Sequence, residues 1–268
     1  MSVVVGFTGD LMFSHRVREL QATSGDALAP LVSVLPMLRA CDLRVGHLET
    51  PISEARRVVP GARADYWAAP AAADALAEAG FDLVTLAGNH AWDFGAEGVD
   101  TTLAELARVG VSACGIESVA DPGSWVGRLE TPSGAFLAVL AYCGMRTVAV
   151  DGRPYRTRSP DLAALTRDVA EARAWARHVI VVLHEVSAEV PPPELEARAR
   201  HSLATGADLV IVHHAHVLSG IERVGPGAIA WGLGNFLAAT NNFAPERRRG
   251  GLLRVAFGEH GVEAIDLI

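Results

Sequence analysis

Short apolar, β-branched runs recur along this chain and alternate with longer stretches whose apolar positions fall at helical spacing. The runs predict strands at 3–7, 43–47, 82–86, 111–114, 178–183 and 208–212. The longer stretches predict helices over 26–40, 70–79, 97–109, 160–176 and 193–205. Gly80 and Gly110 stand where helices end, as C-cap glycines do, and Pro191-Pro192-Pro193 gives the last helix its entry. Segments 125–130 and 135–141 flank Thr131-Pro132-Ser133-Gly134 and read as an antiparallel hairpin. Residues 143–159 read as a loop rich in Gly, Arg and Tyr. The end of the chain is β-rich, at 219–224, 228–232, 251–257 and 262–267, with turns at Gly225-Pro226-Gly227 and Gly258-Glu259-His260-Gly261. There is no internal repeat or linker, so residues 1–268 are expected to form one domain. Parallel βαβ units followed by antiparallel tails imply an α/β (α+β) fold, two packed mixed sheets with helices outside.

Five polar clusters close five of these runs: Gly9-Asp10, His47-Leu48-Glu49, Gly88-Asn89-His90, His184-Glu185 and His213-His214-Ala215-His216. In open α/β sheets the ligand crevice lies outside the carboxyl ends of the strands. Asp, Glu, Asn and His converging there form a donor set for divalent metal ions. His47 and Glu49, two apart, project to one side of an extended segment, and a glutamate between two metals can bridge them. Asn89 offers a carbonyl oxygen. The neighbouring His90 would then point away from the metal, free to handle protons, with Asp93 placed to fix its tautomer. His184 ends a very apolar strand, a costly place for an imidazole that binds nothing. In an extended segment His214 and His216 share a face and His213 points the other way. Asp10 could equally be a turn aspartate, and His15 stands near enough to it to be either ligand or bystander.

Composition removes whole classes of function. A net charge of −8 excludes a non-specific nucleic-acid binder. All 23 basic residues are arginine, so Schiff-base catalysis and a Walker-type phosphate loop are impossible. Cys41, Cys114 and Cys143 form no CxxC pair and indicate neither a disulfide framework nor a zinc ribbon. No apolar run is long enough to span a bilayer, and the N-terminus enters a strand directly. The expectation is a cytoplasmic protein with no membrane partner; its oligomeric state is open. An anionic substrate, a small molecule or a polymer, must then be met by arginine, backbone N–H groups or metal. In loop 143–159, Arg146 is the first candidate, with Arg153, Arg156, Arg158 and Tyr155 nearby.

Taken in order, Gly9-Asp10-Leu11-Met12, Leu48-Glu49-Thr50-Pro51, Leu86 through His90 with Asp93 and Gly95, Gly206 through Ile211, His213 through Glu222, and Leu233-Gly234-Asn235-Phe236 resemble the CapA family of poly-γ-glutamate and capsule biosynthesis. That family is a branch of the calcineurin-like metallophosphoesterase superfamily. The resemblance implies a four-layer αββα sandwich. It also implies a site for one or two divalent ions (Mn, Fe or Zn) on Asp10, bridging Glu49, Asn89, His184, His214 and His216, with His90 handling the proton. His47, His213 and His15 would be additional ligands or supports. Three positions depart from the pattern: Met12 stands where most of the superfamily has His, His47 where the branch has Asn, and Glu185 where it has Trp. Glu185 would change the substrate-facing wall beside His184. The implied activity is hydrolysis of a phosphoester-like substrate by metal-activated water. The alternative is polymer binding or amide chemistry in polyglutamate, capsule or natural-product assembly.

Overall fold

The computed structural model describes residues 2–54, 58–60, 62, 66–145, 154–186, 190–239 and 244–268. In chain order the first half runs β1 (Val3–Leu11), α1 (His15–Ser24), α2 (Leu35–Arg39), β2 (Leu43–Leu48), α3 (Ala71–Glu78), β3 (Leu83–Thr85), α4 (Gly95–Arg108), β4 (Ser112–Cys114), β5 (Glu117–Ser118), β6 (Val126–Glu130) and β7 (Phe136–Cys143). Then follow β8 (Tyr155–Arg156), α5 (Leu162–Arg173), β9 (His178–His184), α6 (Pro193–Ala204), β10 (Leu209–His213), β11 (Ile221–Val224), β12 (Gly227–Ala230), β13 (Asn235–Leu237), β14 (Leu252–Gly258) and β15 (Gly261–Leu267).

One sheet has the order β15-β14-β1-β2-β3-β4, with β13 pairing the end of β1; the other has the order β11-β12-β10-β9-β7-β6. Both mix parallel and antiparallel neighbours. Strand parity sorts the side chains into layers. In β9, Ile180 and Val182 enter the apolar layer between the sheets, whereas Val179, Val181 and Leu183 pack under α5 and α6. On the other sheet, Val45 and Leu83 join the same middle layer, while Leu48 and Val84 pack under α1 to α4. The result is the four-layer αββα sandwich. Among the described residues no helix is long and apolar enough to cross a membrane.

The structure departs from expectation at several elements, among them the following. The helix expected over 26–40 is a 3-10 turn at Ala29–Val34 followed by α2, because Pro30 and Pro36 each start a new segment. Helix α1 carries too little apolar signal to announce itself, since only Val17 and Gln21 are buried. Within the loop expected over 143–159, Tyr155–Arg156 pairs with Glu117–Ser118 as a two-stranded ribbon.

Candidate metal centre

The alternation that buries the strands also delivers the site. His47 continues the row of Leu43 and Val45, His184 that of Ile180 and Val182, and His213 that of Leu209 and Ile211. Three imidazoles therefore enter the layer between the sheets at the carboxyl ends of their strands, all of them buried. Register aligns them, with His213 beside His184 and His47 beside Asp10. His213 thus points into the site and not away from it: it is the last residue of the strand and keeps strand parity, and the chain turns only afterwards. His214 and His216 take left-handed φ values of 97° and 57°, strained for residues with a Cβ. That turn brings the His214 ring 5.2 Å from His184 and 5.4 Å from His216.

A close crossing of backbone adds the remaining wall. Asp10 pairs with Asn235 of β13, and the Asp10 N–H donates to the Gly234 carbonyl at 2.8 Å. A Cβ on Gly9 would collide with that carbonyl, and one on Gly234 with the carbonyl of Arg249; Gly234 also holds φ +64°. Glycine at both positions lets the strands pass at backbone distance.

Two groups of donors share one residue. Glu49, His184 and His214 place ligand atoms within 4.8 Å of one another, and so do Asp10, Glu49 and His216. Around them, Asp10 Oδ1 accepts from His213 at 2.7 Å and Oδ2 from His216 Nδ1 at 2.8 Å. His216 Nδ1 also meets Asn235 Oδ1 at 3.0 Å, which leaves its Nε2 facing Glu49, 3.6 Å away. Asn89 Oδ1 lies 2.8 Å from His184 Nε2. His47 meets His184 Nδ1 through its own Nε2 and Thr85 through Nδ1, and it stacks on His213 at 4.4 Å. His47 and His213 therefore back the donor residues from behind.

Burial sets the electrostatics. Desolvation pushes His47 down to about 3, His214 down to about 4 and His184 well below the usual histidine range. Burial also raises Glu49, reinforced by the neighbouring Asp10 charge, to about 7. For Asp10 burial opposes ionisation, but hydrogen bonds from His213 and His216 outweigh it and hold the carboxyl well below its ordinary value. The two carboxylates in turn overcome the desolvation of His216 and raise it to about 9. Both Glu49 oxygens are buried without a hydrogen-bond partner, as is His214 Nδ1. A buried carboxylate without a hydrogen bond is costly, and divalent cations held by it would remove that cost. The mixed oxygen and nitrogen donors suit Mn, Fe or Zn.

The centre opens into a cavity of about 410 Å³ lined by Met12, Tyr66, His90, Met145 and Arg247 together with Glu49, Asn89, His214 and His216. His90 Nδ1 meets Asp93 Oδ2 at 2.7 Å, and its ring stacks on Tyr66 at 4.7 Å. His15 packs on Tyr66 at 5.3 Å, outside both donor groups. Other expected substrate contacts sit elsewhere. Tyr155 does not line the cavity, because its hydroxyl donates to Asp100 of α4 at 2.5 Å. Glu185 is not in the lining either; it turns to an ion pair with Arg198 of α6. Arg156 and Arg158 pair with Glu117, and Arg158 also with Asp168. Arg146 and Arg153 lie outside the described residues. Thr85, Tyr66, Asn235 and Arg247 are site residues that strand-end reasoning does not single out, although Leu233-Gly234-Asn235-Phe236 is a motif of the resemblance. Arg247 belongs to a run of three arginines with no strand before it, so nothing local marks it.

The fold and site define an αββα sandwich with a candidate two-metal centre at the strand ends. Residues 4–240 match the sequence profile of the family described as "Bacterial capsule synthesis protein PGA_cap", and the chain belongs to that family. Among curated proteins it is 26% identical over 243 residues to the PGA biosynthesis protein CapA of Bacillus subtilis, covering 86% of this chain and 62% of that one. It is 28% identical to the capsule biosynthesis protein CapA of Bacillus anthracis, covering 85% and 58%. The chain thus spans about three fifths of the length of these relatives. A solved structure of a hypothetical protein from Thermus thermophilus shares its fold, with a TM-score of 0.63 at 24% identity over 99% of this chain and 98% of that one.

Proposed function

We propose that this chain is a metal-dependent hydrolase acting on a phosphoester-like, anionic small molecule. The observation that carries the reading is Glu49, a buried carboxylate with no hydrogen bond, shared by the two groups of donors. Asp10, Glu49 and His216 would hold one divalent ion, and Glu49, Asn89, His184 and His214 the other. Bound ions would supply Lewis acidity, lower the pKa of water and clamp the oxygens of an in-line displacement. His213 and Asn235 orient Asp10 and His216, so that the donor atoms face inward before a metal arrives. His90 lines the cavity with Nδ1 fixed by Asp93, which leaves Nε2 as the nitrogen that would give a proton to a leaving oxygen. Met12 lines the cavity beside Asp10 without adding a hard donor, which would leave the Asp10 position the weaker of the two.

The names of the relatives support a second reading, capsule or poly-γ-glutamate assembly, in which the same centre binds polymer or acts on an amide. A screen of aryl phosphomonoesters and diesters against γ-glutamyl peptides, on protein purified without chelator and supplied with Mn²⁺, separates the two. Ester turnover that tracks metal content supports the hydrolase. Turnover of the peptides alone reverses the ranking, and transition metal below about a tenth of an equivalent with no response to Mn²⁺ removes both metal-dependent readings.

A further inference from the structure

Arg247 is the only arginine among the described residues that line the cavity. It shares that wall with His214 and His216, both donors of the metal centre. Among the described residues its guanidinium makes no hydrogen bond or ion pair, whereas those of Arg158, Arg173, Arg198 and Arg200 are engaged by carboxylates. Its main chain, by contrast, is pinned. The Arg247 carbonyl accepts from Asn235 Nδ2 at 2.7 Å, the Asn235 N–H donates to the Arg249 carbonyl at 3.0 Å, and Gly234 bridges Gly250. The other end of the same amide, Asn235 Oδ1, holds His216. One side chain therefore fixes a metal donor and the turn that carries the arginine, so the distance between them is built into the fold.

Charge balance says what such an arginine is for. Two divalent ions opposed by the Asp10 and Glu49 carboxylates leave two positive charges, which one phosphate dianion neutralises. Arg247 adds a third, set apart on the cavity wall. We propose that Arg247 is a specificity-determining residue that selects substrates with a second oxyanion, a carboxylate or a phosphate, beyond the group held at the metal centre. The inference rests on the metal-dependent reading of the site, and it narrows the substrate class to molecules with two anionic groups. Arginine's planar fork suits either oxyanion bidentately.

The test uses non-hydrolysable probes and calorimetry on the Mn²⁺-loaded protein. Ethylphosphonate carries one anionic group; 3-phosphonopropionate and propane-1,3-bisphosphonate carry two, the second being a carboxylate or a phosphonate. The wild type is expected to bind one or both two-anion probes roughly tenfold to a hundredfold more tightly than ethylphosphonate, in keeping with a charged hydrogen bond. Which probe gains more tells whether the second group is a carboxylate or a phosphate. Arg247→Ala should abolish that preference at unchanged metal content, and Arg247→Lys should keep part of it. Because the side chain makes no hydrogen bond or ion pair among the described residues, both variants should fold. Equal binding of all probes by the wild type, or a preference that survives Arg247→Ala, overturns the inference even if esters are turned over. A preference lost in Arg247→Ala upholds it even if no ester is cleaved, and in that case only the hydrolase reading falls.

Discussion

His184 Nδ1 lies 2.9 Å from His47 Nε2, and this contact joins the candidate metal centre to a chain of three hydrogen bonds. His47 Nδ1 continues it to the Thr85 hydroxyl at 2.8 Å, and His184 Nε2 ends it at Asn89 Oδ1 at 2.8 Å. Both rings are neutral, since burial holds His47 near 3 and His184 well below the usual range. Two neutral imidazoles in series permit only two proton arrangements. Without metal, Thr85 donates to His47, His47 to His184, and His184 to Asn89. Were His184 Nε2 to hold an ion, the bond to Asn89 would be given up and the other two would reverse: His184 Nδ1–H would donate to His47, and His47 Nδ1–H to Thr85. The pair thus sets the tautomer that frees the donor nitrogen.

Removing that support should weaken metal binding with every ligand still present. His47→Ala is expected to lower affinity roughly 10- to 100-fold, and Thr85→Val to lower it less. Competition against a fluorescent chelator measures this directly. Affinity unchanged in His47→Ala would mean that His184 finds its tautomer without help.

Donor and proton-handling residues should separate in a second experiment. Glu49→Ala removes the donor shared by both groups and His214→Ala a donor of one, so each should reduce bound metal, Glu49→Ala the more. His90→Ala should keep the metal and lose rate, by roughly 10²- to 10⁴-fold if His90 is the general acid. Tyr66→Ala, which removes the ring stacked on His90, should cost up to about tenfold in kcat, the range of one aromatic pair. Elemental analysis beside kinetics reads all of these variants, and loss of metal in His90→Ala would make His90 a ligand.

The pH dependence follows from two groups raised in opposite chemical senses. Glu49, moved from 4.5 to about 7, is kept neutral by burial, and His216, moved from 6.5 to about 9, is kept cationic by its carboxylate neighbours. For both, the folded metal-free state holds more protons than the unfolded chain, so their contribution to stability is full at low pH. It is lost as pH rises, for Glu49 between about 4.5 and 7 and for His216 between about 6.5 and 9. His47 acts oppositely: depressed to about 3, it destabilises the fold progressively as pH drops below 6.5. Chelated protein should therefore lose Tm from pH 6.5 to 9. Metal binding must expel the same protons, so metal affinity should climb across that interval. Thermal scans with and without chelator test both; a flat Tm in the chelated protein would contradict the His216 assignment.

Much of this centre is written in the local pattern, for a physical reason. Buried parallel strands read as apolar runs, so a histidine or acid closing one, as at Asp10, His47, His184 and His213, stands out against its neighbours. Parity itself gives the true direction of His213 once the strand runs one residue further than its apolar core. What stays hidden comes from distant pairing. Asn235 joins the site through a three-residue strand, and Arg247 through a hydrogen bond to Asn235. Tyr66 reaches His90 through ring stacking, with no strand end to announce it. Tyr155 misleads because a loop near a strand end is expected to face the site, when a two-residue ribbon turns it toward α4.

The crossing of β1 and β13 is where the fold and the site are most tightly coupled, and Gly234→Ala probes it. At φ +64° a Cβ is strained by about 1–3 kcal/mol. Here it also meets the Arg249 carbonyl, which is backbone and cannot rotate away. Relief requires Gly234 and the strand at Gly250 to separate. That moves Asn235, which holds His216 through one end of its amide and the Arg247 carbonyl through the other. Gly234→Ala is therefore expected to lower Tm and to weaken both metal binding and anion binding, although residue 234 touches neither ligand. Asn235→Ala, which spares the backbone crossing, should reproduce the binding losses with a smaller change in Tm. Differential scanning fluorimetry together with metal titration distinguishes the two. A Gly234→Ala protein with reduced Tm but wild-type metal affinity would break the proposed link between the crossing and the centre.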